Sequence, residues 1–204
     1  MRWGGNGLAT FAEIKSSNPM NPIPSNGTPD RRVGALLEVR PVWWADFVSR
    51  VAAALVAGTI AVVSNILALD AAWLVPLDTG NGGLLRFLVM LTGGAFPAPA
   101  GAVFQTGFHF VVGLAMALFY AFVLEPWMRA PSWLRGVLFA TAVWLINALI
   151  VLPSIGEGIA GSRDLTLAGM AWFAAAHTLF FLVLATLFAR LRSVSARSDG
   201  TYWR

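Results

Sequence analysis

Cysteine is missing from this chain of 204 residues. Its absence excludes disulfide bonds, thiolate metal sites and a cysteine nucleophile. It leaves the redox state of the surrounding compartment open, because a chain without thiols gives no sign of either state.

Charged residues are scarce. They make up 12% of the chain, whereas 57% of residues are hydrophobic and the mean hydropathy is +0.70. A soluble domain carries about twice that charged fraction. Because so few polar side chains cannot cover an apolar core, we expect lipid to be the solvent of this protein.

Acidic residues are absent from the predicted spans, apart from Asp46 and Asp70 near the ends of the first one. Proton pumps and ion-coupled transporters normally carry such groups inside the membrane. The sequence therefore argues against a carrier or channel. This function is the least favoured of the three that are considered below.

Four segments are long and apolar enough to cross a bilayer as helices, which takes about 20 residues each. The predicted spans are 47–69, 103–124, 134–152 and 166–190. The apolar segment within 82–101 is shorter and is broken by glycine and proline, so it predicts an interfacial or re-entrant helix. The fold class predicted is an all-α integral membrane protein: a four-helix bundle over 43–191 plus this short helix.

The two ends of the chain differ from the spans in composition. Residues 1–42 are rich in Gly, Pro, Asn and Ser and lack a continuous apolar segment, so we expect a flexible tail rather than a signal peptide. Residues 192–204 form a second predicted tail. Either tail is free or docks along a partner subunit.

Arginine is distributed unevenly between the two sides of the predicted bundle. Only Arg86 and Arg163 fall on one side, and the other side carries Arg31, Arg32, Arg40, Arg50, Arg129, Arg135, Arg190, Arg192, Arg197 and Arg204. Short cytoplasmic loops carry the excess of positive charge. We therefore predict that both termini are cytoplasmic in a bacterial inner membrane, and we attribute the basic pI to lipid contact rather than to nucleic acid.

Both histidines of the chain, His109 and His177, fall inside predicted spans. They lie about 10 Å and 16 Å below the outer surface at 1.5 Å per residue, so their depths coincide within the uncertainty of the span boundaries. Two facing imidazoles can ligate the iron of haem b if small residues leave room. Gly113 lies one turn from His109, but the bulky Phe173 lies one turn from His177.

A structural role for the two histidines is the main prediction, since an imidazole can hydrogen-bond across helices and hold a bundle together. In this case no cofactor is expected. Contact with a quinone or a proton is a further alternative. The amides of Asn65, Gln105 and Asn147 also lie inside predicted spans and need hydrogen-bond partners there.

The loop "VLPSIGEGIAGSRDL" after the third span is the most motif-like segment. Pro153 is expected to end the span, and Gly156, Gly158 and Gly161 permit tight turns. We expect Glu157, Arg163 and Asp164 to form a small set of ion pairs. No histidine, Ser–Lys pair or metal cluster accompanies the loop in sequence, which favours a plain hairpin over an active site.

Residues 100–191 resemble a family of small bacterial membrane proteins of unknown function with four predicted spans. The resemblance rests on "GFHFVVGLAMALFYAFV", which opens a span with H-F-x-x-G, on "WLRGVLFATAVWLINALIVLPSIGEGIAG", and on "HTLFFLVLATLFARL". It implies a shared architecture, with both histidines part of the pattern. Carried over to this chain, the pattern falls on His109, His177, Gly113, Pro153, Gly156, Gly158 and Gly161.

The sequence favours a non-catalytic accessory subunit of a larger membrane complex, for example one of respiratory or photosynthetic electron transfer. The expected partners are the lipid bilayer and other membrane subunits, or further copies of this chain. The alternative is a small membrane protein in which His109 and His177 bind haem b or contact a quinone.

Overall fold

The computed structural model describes residues 42–75, 77–79, 83–99 and 101–198. These residues form helices and connecting turns without a strand, and four helices among them are long and apolar enough to span a membrane. The predicted all-α, four-span fold is confirmed. The predicted N-terminal tail lies outside the described residues except for Val42, and so do residues 199–204 of the predicted C-terminal tail.

Five helices carry the fold. They are α1 (Val42–Asp70), α2 (Gly83–Leu91), α3 (Ala102–Phe119), α4 (Ser132–Ile146) and α5 (Leu167–Ser198). Both α3 and α4 continue directly into a π turn, over Tyr120–Leu124 and Asn147–Val151 respectively, and α4 then adds a last α turn at Leu152–Ser154. With these turns α3 and α4 reach the length of a span.

Two helices extend past their predicted bounds. Helix α1 begins at Val42 rather than at 47, and α5 ends at Ser198 rather than at 190. Hydropathy marks only the lipid-buried part of a helix, whereas hydrogen-bonded turns continue into polar sequence. The extensions also interact, because Arg192 of α5 donates a hydrogen bond to Asp46 of α1 over 2.6 Å.

Helices α1 and α5 form the middle of the bundle. Helix α1 packs closely against α3 and α5, and α4 packs against α5. Small residues permit this approach, since the fully buried stripe of α1 consists of Ala54, Ala57, Ala61 and Val62 together with Asn65. The small residues Ala171 and Ala175 of α5, which are also four residues apart, are exposed instead.

Aromatic rings close the space between α3, α4 and α5 in the half of the bundle where α3 ends. The ring of Phe139 lies 4.3 Å from Phe181 and 6.1 Å from Tyr120, and Tyr120 lies 5.7 Å from Phe188. Each buried ring removes about 150–250 Å² from solvent or lipid. This half of the bundle is a packed core rather than a cavity.

Helix α2 lies at the opposite end, against the last turns of α4. Beyond α2 the chain turns at Gly93 and Gly94, both with positive φ, and the ring of Phe96 then meets that of Phe108 on α3 at 6.1 Å. The predicted break at these glycines is present. The segment 83–99 thus connects the end of α4 with the start of α3.

Candidate functional site

The rings of His109 on α3 and His177 on α5 lie close together. Their centroids are 6.4 Å apart and their planes are inclined by 79°. The sequence indicated that the two histidines lie at similar depths in the membrane. The structure also places them side by side, on helices α3 and α5.

A hydrogen-bonded chain connects His109 to two other helices. The side-chain nitrogen of Asn65 on α1 donates to the carbonyl oxygen of Ala176 on α5 over 2.9 Å. Its oxygen Oδ1 lies 2.8 Å from Nε2 of His109 and is therefore the acceptor, which makes Nε2 the donor. Since Asn65 is only 1% exposed, this amide has found the partners that a buried polar group requires.

His177 is held within its own helix. Its Nδ1 lies 2.8 Å from the carbonyl oxygen of Phe173, so Nδ1 carries a proton, and its ring lies 4.2 Å from the ring of Phe173. In the neutral form this assignment leaves the lone pair on Nε2. The corresponding lone pair of His109 is on Nδ1, so each ring keeps one nitrogen outside these bonds.

The space beside Gly113 is filled. A Cβ atom added to this glycine would collide with Cγ2 of Val62 on α1 and would lie 3.5 Å from Cε2 of Phe180 on α5. The sequence suggested that Gly113 leaves room next to His109. In the structure the missing side chain lets α1 approach α3 instead.

An apolar groove runs along the surface between α1 and α5 near the histidine pair. It is lined by Ala68, Trp172, Ala175, Ala176 and Leu179. The indole nitrogen of Trp172 donates to the carbonyl oxygen of Ala68 over 2.8 Å, which ties the two helices together at the groove.

The other predicted residues lie apart from this pair. The amide of Asn147 donates to Val143 of its own helix over 3.3 Å, so it makes no link between helices. Gln105 is half-buried one turn before His109. Pro153 lies in the last α turn of α4, and the following loop holds Gly156, Gly158 and Gly161 at φ of 88°, 78° and 82°.

Glu157 in this loop pairs differently from the expectation. Its carboxylate oxygen Oε1 lies 2.9 Å from Nη2 of Arg86 on α2, whereas Arg163 donates to the carbonyl oxygen of Gly156 over 3.1 Å. The expected ion pair with Arg163 is therefore wrong. Glu157 is only 5% exposed and lies where the loop packs against α2, so Arg86 of α2 is within its reach. Arg163 and Asp164 are exposed.

A cluster of charged residues at the other end of the bundle was not recognised as a unit in the sequence. We call Arg50, Arg135 and Arg192, with Asp46 and Glu125, the arginine cluster. Glu125 lies 3.2 Å from Arg50 and 3.1 Å from Arg135, and Asp46 lies 2.6 Å from Arg192 and 3.6 Å from Arg50. One signal was present, since Arg50 falls inside the predicted first span and a charge there needs a partner.

Within the part of the chain that the structure describes, no group of three or more His, Asp or Glu side chains is arranged to hold a metal ion. No family model, curated protein or solved structure matches this chain.

Proposed function

We propose that the protein is a non-catalytic accessory subunit that stabilises a larger membrane complex of a bacterial inner membrane, such as one of electron transfer. The observation that carries this proposal is the chain from His109 through Asn65 to Ala176. The buried amide of Asn65 joins three helices to each other through these bonds.

The packing around the histidines supports the same proposal. Val62 and Phe180 occupy the space beside Gly113, and the ring of Phe173 lies against His177. A porphyrin inserted between α3 and α5 would displace these side chains. A bundle closed in this way suits a subunit whose task is to hold neighbouring chains in place.

The partner surface is proposed from the sequence alone. The predicted tails, residues 1–42 and 192–204, flank the membrane domain, as segments that bind another subunit would. The proposed orientation places both in the cytoplasm. The resemblance to small four-span bacterial proteins is compatible with this role but supplies no activity.

A second candidate function rests on one distance. Ring centroids 6.4 Å apart, with one lone pair left on each ring, are near enough for a single metal ion to contact both imidazoles. In this alternative His109 and His177 are the ligands of haem b, or they accept a hydrogen bond from a quinol. The side chains around Gly113 would then have to move.

The test is an optical spectrum, oxidised and reduced, of protein extracted gently from its native membrane, followed by a denaturing gel. We expect larger subunits in stoichiometric amounts and no Soret band from the isolated chain. A Soret band from the chain alone that is lost in both His109→Ala and His177→Ala would overturn the accessory role and establish the haem alternative.

A further variant, His177→Asn, separates the two candidates. His177→Asn keeps a side chain that can hydrogen-bond, and it should retain assembly with the partner subunits. Complete loss of function in a variant that still folds and assembles would indicate that the imidazole acts as a ligand.

A further inference from the structure

The arginine cluster joins all four spans at the end where α1 and α4 begin. Arg50 belongs to α1, Arg135 to α4 and Arg192 to α5, and Glu125 directly follows the π turn that ends α3. Besides their ion pairs, Arg50 donates to the carbonyl oxygen of Ala121, and Arg135 donates to that of Ala130. The cluster is therefore a fixed set of groups rather than a collection of loose surface charges.

The charges of this cluster do not balance. Three guanidinium groups share two carboxylates, which leaves one positive charge without a counter-charge inside the cluster. The three arginine side chains are 19–25% exposed, so they are reachable from outside. A guanidinium group has five N–H donors, and Nη2 of Arg50 takes no part in the hydrogen bonds described above.

Aromatic side chains border the cluster on the outer surface of the bundle. Trp44 stacks on Phe47 at 5.7 Å, and Phe47 contacts Phe122 of the α3 end at 5.4 Å. Trp43, Trp44 and Phe47 are exposed. Exposed tryptophans at the end of a span are typical of the level of the lipid head groups.

The two ends of the bundle differ in charge. Among the described residues, the end with the arginine cluster has six arginines and two carboxylates, and the opposite end has two arginines and four carboxylates. The excess of cations is thus confined to one end, where the phosphates of one leaflet are the nearest abundant anions.

We propose that the arginine cluster binds the phosphate of an anionic phospholipid. Arginine suits this ligand because its planar guanidinium can donate two parallel hydrogen bonds to a phosphate. A phosphodiester carries one negative charge and so completes the balance of the cluster. A zwitterionic lipid carries its own ammonium group and does not, so the cluster selects a net negative head group, whose acyl chains lie along Phe47 and Phe122.

The experiment is native mass spectrometry of the full chain in detergent, with added phosphatidylglycerol or phosphatidylcholine at equal concentration. We expect one phosphatidylglycerol to be retained per chain in preference to phosphatidylcholine. Arg192→Gln should lower the retained phosphatidylglycerol by about fivefold, the effect of one basic side chain near a lipid surface. Arg163→Gln at the opposite end is the matched control and should leave retention unchanged.

A second variant keeps the proposal testable if Arg192→Gln fails to fold. Glu125→Gln removes a carboxylate, raises the excess charge and should increase retention of phosphatidylglycerol, whereas a purely structural cluster would bind less lipid after either change. Equal retention of the two lipids, or a loss of binding in Glu125→Gln that remains folded, would overturn the proposal.

Discussion

The carboxamide of Asn65 accepts a hydrogen bond from His109 and donates one to the backbone of Ala176. One side chain on α1 therefore connects α3 with α5 inside the bundle. Since both partners of Asn65 lie on other helices, the energy of these two hydrogen bonds stabilises the packing of the helices rather than α1 itself.

Asn65→Leu keeps the approximate volume of the side chain but removes both hydrogen bonds. We expect the free energy of unfolding in mixed micelles to fall by about 1 kcal/mol, within the range measured for hydrogen bonds between membrane helices. Asn147→Leu is the control, because this amide bonds only to its own helix. Equal losses in the two variants would show that the link between helices is not the source of the effect.

Gly113→Ala places a methyl group against Val62 of α1. Overpacking of this kind costs about 1–3 kcal/mol, which should appear as a lower unfolding temperature in detergent. The double variant Gly113→Ala with Val62→Ala should recover most of the loss, since the two side chains compete for the same space. Gly107→Ala is the matched control, because among the described residues no atom beyond its own stretch of helix lies within 4 Å of the added group.

If Gly113 instead serves to leave room for a cofactor, the second change would restore nothing. The degree of rescue thus distinguishes close packing of α1 against α3 from a pocket beside His109.

Gly136→Ala is expected to be more damaging than Gly113→Ala. The added Cβ would lie 2.8 Å from the carbonyl oxygen of Phe181 and 3.0 Å from Cα of Leu182. Backbone atoms cannot rotate away as a side chain can, so α4 must separate from α5. We predict the larger fall in unfolding temperature for this variant, and an equal or smaller fall would refute the close contact of these two helices.

Glu157→Gln removes the buried charge that pairs with Arg86. Because Arg86 is more than half exposed, the ion pair is screened, and we expect a local effect of about fivefold faster amide hydrogen exchange over Gly83–Leu91. Asp164→Asn changes an exposed carboxylate of the same loop and should leave this exchange rate unchanged. Unaltered exchange in Glu157→Gln would mean that packing alone holds α2.

The spans themselves could be predicted because lipid demands a long apolar segment for each crossing, and this demand is local in sequence. The contact of His109 with His177 was within reach for a similar reason, since depth follows from counting residues along a span. The surroundings of the two histidines could not be predicted. A glycine such as Gly113 is compatible with close packing and with a pocket, and only its neighbour in space, Val62, distinguishes the two.

Partnerships between distant side chains were beyond the sequence. The pairing of Glu157 with Arg86, and that of Glu125 with Arg50, depends on how each helix is rotated about its axis and on which helices are neighbours. Hydropathy indicates neither the rotation of a helix about its axis nor which helices are its neighbours. The expected pairing of Glu157 with Arg163 was wrong because it assumed that residues close in sequence are paired. The partner in the structure, Arg86, is distant in sequence.

The π turn at the end of α3 has a consequence for how the protein can change in evolution. In an α-helix, residues five apart point in directions about 140° different, but here the amide nitrogen of Glu125 bonds the carbonyl oxygen of Tyr120 over 2.8 Å, and the wider turn places the two on the same face. The π turn thus holds one residue more than an α turn and still keeps Glu125 beside its arginines. Deleting one residue between them would restore an α turn, in which residues four apart also share a face. Over this stretch the inherited constraint is the direction of Glu125, and the number of residues before it can fall by one without changing that direction.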